Sequence, residues 1–374
     1  MSASSFSVSA RMPSMPTTPG HRPGQHWLFL ARPSRWAIRT PNDHFLSPDT
    51  QHDCIVIGAG AGGGALTYSL CRSGCRVLLL DAGPAYDPLS DYRLDRPDWE
   101  KGLFPVKVAT GGKGYRVAKL QSLNEEHEHL RSWNKVNGKL NAGSRRLPFA
   151  YHHVKGIGGS TLHFSGEAHR LNVHAMKLKS EHGRGADWPI DYEELEPYYR
   201  QAERIIGVAG PPEQPGRPRS EPFPLPGNAI SYAGSRLVEA GMKLGQSWQA
   251  NSLAILSRPY DGRPACNFCA NCNRGCPRTD KGSVDVTFVR KALASGNCTL
   301  MAEVRVEQLV VGRDDQIEAV VVRRADGSTT ELSAARFVIA CGAVETPRLL
   351  LNSRQPGAPD GVANEEGQVG RHFM

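Results

Sequence analysis

Residues 54–83 begin Cys-Ile-Val-Ile-Gly-Ala-Gly-Ala-Gly-Gly-Gly-Ala and end Val-Leu-Leu-Leu-Asp-Ala-Gly. The apolar run Ile55–Ile57 predicts a short buried strand. The glycines after it predict a tight turn into a helix from Gly63 to about Ser73, and Cys75–Leu80 predicts a second strand. A strand, a glycine-rich turn, a helix and a strand that ends in a carboxylate form the unit that binds dinucleotides. The stretch therefore predicts an α/β fold with a dinucleotide site.

Four residues of this unit have separate roles in the prediction. Gly58 makes the tight turn, Gly60 lets the backbone approach a pyrophosphate, and Gly63 lets the helix pack on the strand. The N-terminus of the helix directs its dipole at the phosphates. Asp81, at the end of the second strand, is placed to accept the hydroxyls of a ribose. Because these features occur in the right order, a glycine-rich loop that binds nothing is the weaker interpretation.

The composition indicates a folded protein with a basic, irregular start. The chain has 374 residues, of which 39% are hydrophobic and 22% charged, enough for two or three domains or subdomains. Residues 1–50 are rich in Ser, Pro, Arg and Thr and are predicted to be disordered. They carry five Arg and two Asp, so +3 of the net charge of +8 lies there. Elsewhere no basic run with interleaved aromatic residues occurs, and we expect no nucleic-acid partner.

The sequence shows none of the common targeting signals. No apolar stretch approaches the length of a transmembrane segment. The N-terminus has neither an apolar core with a cleavage site nor an Arg-Arg pair. We therefore expect a cytoplasmic protein that associates with a membrane only through a partner.

Cap and turn signals divide the rest of the chain. Residues 88–150 are polar and irregular, and Gly111, Gly112 and Gly114 mark a loop within them. Asp191 and Glu194 form a capping box that begins a helix, and Gly207 ends it. The proline-rich residues 211–226 predict an exposed linker.

The last elements are predicted as strands followed by a helix. In order they are a helix over residues 232–244, a β-meander over 300–311, 317–324 and 329–332, and a buried strand over 336–341. Thr346 as the N-cap and Pro347 as the first helical residue predict the helix that follows.

Four separated stretches, in one order over residues 52–374, match a known family. They are Gly58–Gly83, Gly156-Ile-Gly-Gly-Ser-Thr-Leu-His163, Asp187-Trp-Pro-Ile with Leu195-Glu-Pro-Tyr-Tyr, and Gly342-Ala-Val-Glu-Thr-Pro-Arg-Leu-Leu-Leu351 with Val369-Gly-Arg-His-Phe-Met374. In these stretches the chain resembles the glucose-methanol-choline (GMC) oxidoreductases, FAD-dependent enzymes that oxidise alcohol groups.

The resemblance implies a fold and a division of the chain. The fold is a Rossmann-like α/β FAD-binding domain with a mixed sheet and a β-meander, plus helical and irregular insertions from part of a substrate domain. Residues 51–374 would be the FAD-binding region after the disordered segment. Within it, 52–165 would carry the fingerprint and the flavin loop, 166–299 the helical and cysteine-rich insertion, and 300–374 the meander and second FAD element.

The resemblance also implies three groups of cofactor-binding residues. Those at the pyrophosphate and the ribose are Gly58, Gly60, Gly63, Asp81 and Gly83. Those beside the flavin are Gly158, Gly159, Ser160, Thr161 and His163, with the histidine close to the isoalloxazine ring. Those that meet the adenine or close over the dinucleotide are Val306, Gly342, Thr346 and Pro347. For His163, a packed histidine without a chemical role is the alternative.

The chain departs from the family pattern at its end. Family members continue past the Val-Gly-Arg motif into a substrate domain that supplies a catalytic histidine and its His or Asn partner. None of the thirteen histidines lies in a segment that matches this motif, so no catalytic residue is assigned. We therefore interpret the chain as a truncated alcohol, sugar or polyol dehydrogenase, with hydride transfer to flavin N5, whose C-terminal substrate domain is absent.

Four of the nine cysteines fall within eleven residues. Cys266, Cys269, Cys272 and Cys276 have the spacing C-x2-C-x2-C-x3-C-P of a bacterial ferredoxin. This spacing permits a 3Fe–4S or 4Fe–4S cluster, with Cys298 as a distant alternative ligand, but also a structural zinc or thiols without metal. Some GMC relatives that pass electrons to a cytochrome subunit carry a cluster in a comparable insertion, while many others have a similar Gly-Cys-Pro stretch without a proven cluster. The resemblance implies a cytochrome or other electron-acceptor subunit as a candidate partner.

Three other functions stay open. An NAD-linked dehydrogenase would use the same fingerprint, although the Gly342-Ala343 turn is similar to the second dinucleotide element of flavoproteins. The others are an electron carrier that binds a cluster without catalysis, and an inactive fragment.

Overall fold

The computed structural model describes residues 52–92, 133–142, 145–212, 214–246 and 248–371. The N-terminal segment that was predicted to be disordered lies outside the described residues. In the part of the chain that is described, no helix is long and apolar enough to cross a membrane.

The described chain contains eleven strands and seven α-helices. The strands are β1 Cys54–Ile57, β2 Val77–Leu80, β3 Trp133–Ala142, β4 Arg145–Val154, β5 Ala209–Gly210, β6 Leu225–Pro226, β7 Cys298–Met301, β8 Arg305–Val311, β9 Ile317–Arg323, β10 Thr329–Ser333 and β11 Arg336–Ile339. The helices are α1 Ala61–Arg72, α2 Pro88–Asp91, α3 Leu178–His182, α4 Tyr192–Ile206, α5 Tyr232–Lys243, α6 Arg290–Ala294 and α7 Gly342–Asn352. Short 3-10 helices and a π-helix lie at Gly159–Leu162, Val173–Met176, Cys272–Arg274, Arg313–Asp315 and Asp285–Val289.

The central sheet has the strand order β11-β1-β2-β7 and is parallel throughout. Its two inner strands, Cys-Ile-Val-Ile and Val-Leu-Leu-Leu, are apolar at every position and buried at every position, as expected for a parallel sheet covered on both faces. The predicted strand–helix–strand unit is confirmed as β1, α1 and β2. The mixed sheet of the prediction is two separate sheets, since the antiparallel meander forms a sheet of its own.

The two faces of the central sheet bury two different cores. Val56 and Leu79 face one core, which includes Phe288 of the π-helix and residues of α1 and α6. Ile57 and Leu78 face the other core, which is completed by the β8–β10 sheet and α7. This division follows from the alternation of side chains along a strand. The result is a three-layer arrangement.

The prediction of a single first strand for the meander was wrong. Residues 300–311 form two strands in two sheets, β7 in the central sheet and β8 in the antiparallel sheet β10-β9-β8. Between them, Glu303 has a φ of +57° and donates its N–H to the carbonyl of Gly83, while Val304 donates to that of Asp81. The chain therefore crosses over the end of β2 before the meander begins.

The irregular region predicted over residues 88–150 contains an antiparallel hairpin. Its strands β3 and β4 pair in register over ten residues each, with Val136 opposite Tyr151 and Leu140 opposite Leu147. Only the second strand holds a signal in the sequence, because Leu147, Phe149 and Tyr151 recur at alternate positions. The glycine loop proposed around residue 111 lies outside the described residues.

The proline-rich residues 211–226 are not an exposed linker. β5 and β6 pair in parallel at its two ends, and Phe223 and Leu225 are buried. Arg219 from this segment donates to both oxygens of Glu203 in α4. Ion pairs and apolar burial therefore fix a segment whose composition suggested solvent exposure.

The helix predictions were accurate except for two starts, of which α1 begins at Ala61, two residues before the predicted Gly63. α4 has the predicted capping box at Asp191 and Glu194 and ends at Gly207, and α5 matches its predicted range to one residue. α7, however, begins at Gly342 and not after Thr346. The Thr346 hydroxyl accepts the N–H of Cys341 at 3.2 Å, so it caps the helix from inside its second turn.

Candidate functional site

A cleft of about 930 Å³ opens at the carboxyl ends of the parallel strands. It lies where β1 has β2 on one side and β11 on the other, so the connections from these strands leave in opposite directions. Ligands of doubly wound sheets bind at such a switch point. The cleft is lined by Ile57, Gly58, Gly60, Ala61, Gly62, Leu80, Asp81, Ala82, Val154, Lys155, Gly159, Ser160, Thr161, Val304, Arg305, Val306, Glu307, Ala340, Cys341, Gly342, Ala343, Glu345, Arg348, Leu349 and Asn352.

The turn from β1 into α1 forms one wall of the cleft. Gly58 has a φ of +101°, and its N–H donates to the carbonyl of Leu80 at 2.7 Å. At Gly60, the N-cap of α1, no side chain caps the helix, and its first turn holds no acidic residue. The free N–H groups of the first turn therefore lie beside the cleft, as an anion-binding helix terminus requires.

The carboxylate of Asp81 is fixed beside this turn. One oxygen accepts the N–H of Ala59 and the other that of Gly83, both at 2.8 Å. Burial raises the pKa of Asp81 to about 6, against these amide hydrogen bonds, which lower it. A carboxylate can accept about four hydrogen bonds, so this geometry leaves lone pairs for the hydroxyls of a ribose.

The buried position of Asp81 predicts a pH-dependent stability. Between about pH 4 and pH 6 the folded protein keeps the proton of Asp81 and the unfolded chain does not, so stability falls as pH rises through this range, by up to about 1.4 kcal/mol per pH unit. Urea unfolding of the cofactor-free protein across this range should show the fall, and Asp81→Asn should lack it. The exposed Asp53, whose pKa is lowered by Arg76, is the control. An Asp53→Asn variant that also lacked the fall would contradict the assignment.

The opposite wall of the cleft is the turn from β11 into α7. Gly342 has a φ of +85°, and Ala340 donates to the carbonyl of Ile57 at 2.8 Å. Two helix N-termini, from adjacent parallel strands, thus flank one cleft. Arg305 and Arg348 also line it, the latter paired with Glu345 at 2.8 Å.

The predicted flavin loop packs directly against the α1 turn. A Cβ atom on Gly159, whose φ is +54°, would lie 2.9 Å from the Cα of Gly60, so the two backbones touch with no side chain between them. Gly158 donates its N–H to the carbonyl of Ala59 at 2.9 Å. On the far side, the Thr161 hydroxyl accepts the N–H of Val284 at 3.0 Å. The loop is held from both ends.

His163 lies behind this loop and is not among the residues that line the cleft. It is buried, and its Nδ1 is 3.0 Å from the carbonyl oxygen of Asn273. Burial, together with the nearby Lys281 ammonium, lowers the pKa of His163 to about 4, although the hydrogen bond to Asn273 raises it. The imidazole is therefore neutral at pH 7.

The structure sorts the predicted cofactor residues into two groups. Those that line the cleft are Gly58, Gly60, Asp81, Gly159, Ser160, Thr161, Val306 and Gly342. Those that lie behind its wall are Gly63, Gly83, Gly158, His163, Thr346 and Pro347. In the second group Gly63 and Gly83 serve close packing, since a Cβ would lie 1.8 Å from the Gly58 oxygen or 2.1 Å from the Gly156 nitrogen.

The prediction missed the charged residues around the cleft. Lys155, Arg305 and Arg348 bring cationic groups to its edge, and Glu307 and Glu345 bring carboxylates. Lys155 directly precedes the predicted glycine loop, and Arg305 directly precedes Val306. Their position in the sequence, directly before predicted site residues, was the signal that could have identified them.

The four cysteines of the ferredoxin-like run lie in a loop next to the flavin loop. All four are free thiols. Within the described residues, no three His, Cys, Asp or Glu side chains are grouped so that they could hold a metal ion. This arrangement does not fit a bound cluster.

Burial raises the pKa of three of these thiols, those of Cys266, Cys272 and Cys276. Burial raises the pKa of Cys266 to about 11, and burial together with the Asp280 carboxylate raises that of Cys276 to about 12. The Cys276 thiol donates to Asp280 at 3.1 Å. Cys298, the alternative ligand, lies instead in β7, where its thiol is hydrogen-bonded to Cys71 in the core.

The parallel sheet and the two helix termini at its switch point define a dinucleotide-binding α/β protein. A family model described as GMC oxidoreductase matches residues 141–373. The chain belongs to the GMC oxidoreductase family.

Curated relatives agree with this membership. The chain is 32% identical over 328 residues to the fructose dehydrogenase large subunit of Gluconobacter japonicus, a match that covers 86% of this chain and 58% of the relative. It is 30% identical to 2-methyl-1,2-propanediol dehydrogenase of Mycolicibacterium austroafricanum, with 87% and 55% covered. It is also 30% identical to paromamine 6'-oxidase of Streptomyces fradiae, with 86% and 53% covered. The chain thus spans little more than half the length of these relatives.

A solved structure has the same fold. Pyridoxine 4-oxidase from Mesorbium loti matches with a TM-score of 0.51 at 19% sequence identity, over 80% of this chain and 51% of that one. At this identity the match supports the fold alone.

Proposed function

We propose that the chain is the FAD-binding part of an oxidoreductase that acts on CH–OH groups of an alcohol, a sugar or a polyol. The observation that carries the proposal is the pair of helix N-termini at one switch point, with the Asp81 carboxylate between the α1 turn and Gly83. A pyrophosphate needs the first feature and a ribose the second. The family, whose curated relatives include dehydrogenases and oxidases, supports the reaction class.

The residues of the cleft have separate tasks in this proposal. The first-turn N–H groups of α1 bind the pyrophosphate, and Gly60 leaves room for it because its nearest neighbour to an added Cβ is the Cα of Gly159 at 3.9 Å. Asp81 accepts from the adenosine ribose, and Val306 lies beside the adenine. Gly159, Ser160 and Thr161 form the flavin side. FAD, when bound, supplies the acceptor for the hydride of the substrate.

The electron acceptor is proposed to be another protein subunit. The relative from Gluconobacter japonicus is described as a large subunit, and a relative from Pantoea cypripedii, 24% identical, as a gluconate 2-dehydrogenase flavoprotein. An iron–sulfur relay in this chain rests on the spacing of the four cysteines alone, and no step is assigned to it.

Cofactor content tests the proposal directly. The purified chain, isolated anaerobically, should bind FAD with the absorption bands of a bound flavin, and NAD should not displace it. Gly60→Val should fold like the parent, since the φ of Gly60 is −75° and its added Cβ would meet only the Cα of Gly159, at an ordinary contact distance of 3.9 Å, but it should lose FAD. Equal FAD binding by both proteins, or binding of NAD in preference to FAD, would overturn the proposal.

Iron and flavin analysis of the same sample tests two further hypotheses, the iron–sulfur relay and the electron carrier without catalysis. Stoichiometric iron with a broad iron–sulfur absorbance would support the relay, and flavin without iron would exclude it. A cluster without flavin would favour an electron carrier over a dehydrogenase.

A further inference from the structure

The Lys281 side chain is fully buried beside the flavin loop. Its ammonium donates to three backbone carbonyls, those of Leu162 at 2.8 Å, Phe164 at 3.1 Å and Cys272 at 2.6 Å. An ammonium has three hydrogens, so each is used. None of these partners is a carboxylate. A buried charge is costly unless it is fully hydrogen-bonded, so the three carbonyls determine where this ammonium can lie.

The three carbonyls belong to two loops that are far apart in sequence. Leu162 and Phe164 are the two sequence neighbours of His163, so the ammonium is hydrogen-bonded to the turn that carries the imidazole. Cys272 belongs to the cysteine loop and is followed by Asn273, whose carbonyl lies 3.0 Å from Nδ1 of His163. One lysine and one histidine therefore join the flavin loop to the cysteine loop.

The contact between Nδ1 of His163 and the Asn273 carbonyl determines the tautomer of the histidine. A carbonyl oxygen only accepts hydrogen bonds, so Nδ1 of His163 must carry a proton. In the neutral ring Nε2 then carries the lone pair. The Lys281 ammonium also lies 5.1 Å from the centre of the Phe164 ring, which adds a cation–π contact on the same turn.

We propose that Lys281 is a positioning residue of the cofactor site, which docks the turn around His163 on the cysteine loop and thereby holds the imidazole in the Nδ1–H tautomer, with Nε2 as an acceptor. The docking itself depends only on contacts within this chain. Its consequence for the flavin rests on the proposed function, because the loop from Gly158 to Leu162 is the wall that would face the isoalloxazine.

The lysine is suited to this task by its shape. An ammonium directs three hydrogens along tetrahedral directions and can serve three carbonyls that converge from different loops. A guanidinium is planar and larger, so Lys281→Arg keeps the charge but cannot reproduce the three contacts. Lys281→Met keeps most of the length and removes all three donors.

The test measures the tautomer of His163 in protein labelled with nitrogen-15 at histidine, first without FAD. Long-range proton–nitrogen spectra, with the ring signals assigned through a His163→Gln variant, should show Nδ1–H alone in the parent. Lys281→Met should give a mixture of tautomers, and Lys281→Arg an intermediate result. Lys291→Met is the matched control, because Lys291 only pairs with Asp261 near the surface. If Lys281→Met does not fold, Lys281→Arg alone decides the question.

An unchanged tautomer in every folded Lys281 variant would overturn the inference, and so would Nε2–H in the parent. FAD is added in a second step, where the flavin absorption bands should shift in the Lys281 variants and not in the control. If the parent protein itself does not bind FAD, the proposed function fails while the tautomer result stands. If FAD binds and the bands do not shift, the link from Lys281 to the flavin is wrong.

Discussion

Replacement of Gly63 by alanine is expected to prevent stable folding of the chain. A Cβ atom at this position would lie 1.8 Å from the carbonyl oxygen of Gly58 and 3.1 Å from the Cβ of Ala340. The first neighbour is backbone and cannot rotate away. Gly58 itself is held by its hydrogen bond to Leu80 and by a φ of +101° that other residues rarely adopt. The clash must therefore be relieved by separating α1 from β1.

The cost of that separation is large compared with ordinary stability. Overpacking of a core by one methylene costs about 1–3 kcal/mol where side chains can adjust, and here only backbone can move. A loss above about 3 kcal/mol is a substantial part of the roughly 5–15 kcal/mol that stabilises a domain. We expect little soluble protein, and urea unfolding of what is recovered should show a strongly lowered midpoint.

Gly62→Ala provides the matched comparison one residue away. An added Cβ at Gly62 would meet nothing within 4 Å, and the position lies in the first turn of the same helix. Alanine there should leave the free energy of unfolding unchanged or raise it by up to about 1 kcal/mol. If the two variants unfold at the same urea concentration, the close contact between α1 and β1 is not as described.

Glu203→Gln is the second change with a large expected effect. Both oxygens of Glu203 accept from Arg170, at 2.8 and 2.9 Å, and both accept from Arg219. Arg170 and Glu203 are among the most deeply buried charged residues, with 2% and 5% exposed. Removing one partner of a buried ion pair costs about 3–5 kcal/mol. Here Arg219 would lose its carboxylate partner, while Arg170 would keep Glu196 at 2.9 Å. The proline-rich segment should then loosen around Arg219, although Ser220 and Glu221 keep their contacts with α4.

The pH dependence of this network has a defined sign. Burial raises the pKa of Glu203, but hydrogen bonds from Arg170 and Arg219 outweigh it and hold the pKa below its ordinary value of 4.5. The folded state therefore binds this proton less readily, and its contribution is lost as pH falls below about 4.5.

An exposed glutamate on another helix serves as control for this experiment. Glu239 pairs with Arg236 three residues away, and both side chains are more than half exposed. Glu239→Gln should change the free energy of unfolding by less than about 1 kcal/mol. Urea unfolding of both variants at pH 7 measures the difference, and proteolysis near residue 219 reports loosening of the segment. A Glu203→Gln variant as stable as Glu239→Gln would show that the network contributes specificity and not stability.

The sequence was sufficient to predict those elements whose structure depends on residues close together along the chain. The unit β1–α1–β2 and the capping box of α4 are set by residues within about thirty positions of one another, and both were predicted correctly. The break between β7 and β8 was not, because Glu303 adopts its positive φ only where Gly83 and Asp81 present carbonyls to the chain. No local pattern encodes these partners.

In the candidate site, too, residues placed by a local motif were predicted and contacts between distant parts of the chain were not. Gly58, Gly60 and Asp81 reach the cleft through a local motif, and Gly342 reaches it through a similar turn. His163 was expected close to the flavin, but its Nδ1 meets the Asn273 carbonyl, 110 positions later in the chain. The hydrogen bonds from Lys281 to Leu162 and Phe164 join residues 119 and 117 positions apart in the chain. Such contacts depend on how separate loops are brought together, which spacing in the sequence does not express.

The pairing of β1 with β11 has a consequence for the order of events during synthesis. Ile57 and Cys341 meet across this pair although 284 positions separate them. Contacts at such separation require closure of a very long loop and form late in folding. The wall of the cleft made by α7 is therefore still missing when the fingerprint leaves the ribosome. Until β11 is made, the backbone N–H and C=O groups on that edge of β1 have no partner strand. A complete dinucleotide cleft is available to FAD only after residue 352 has been added.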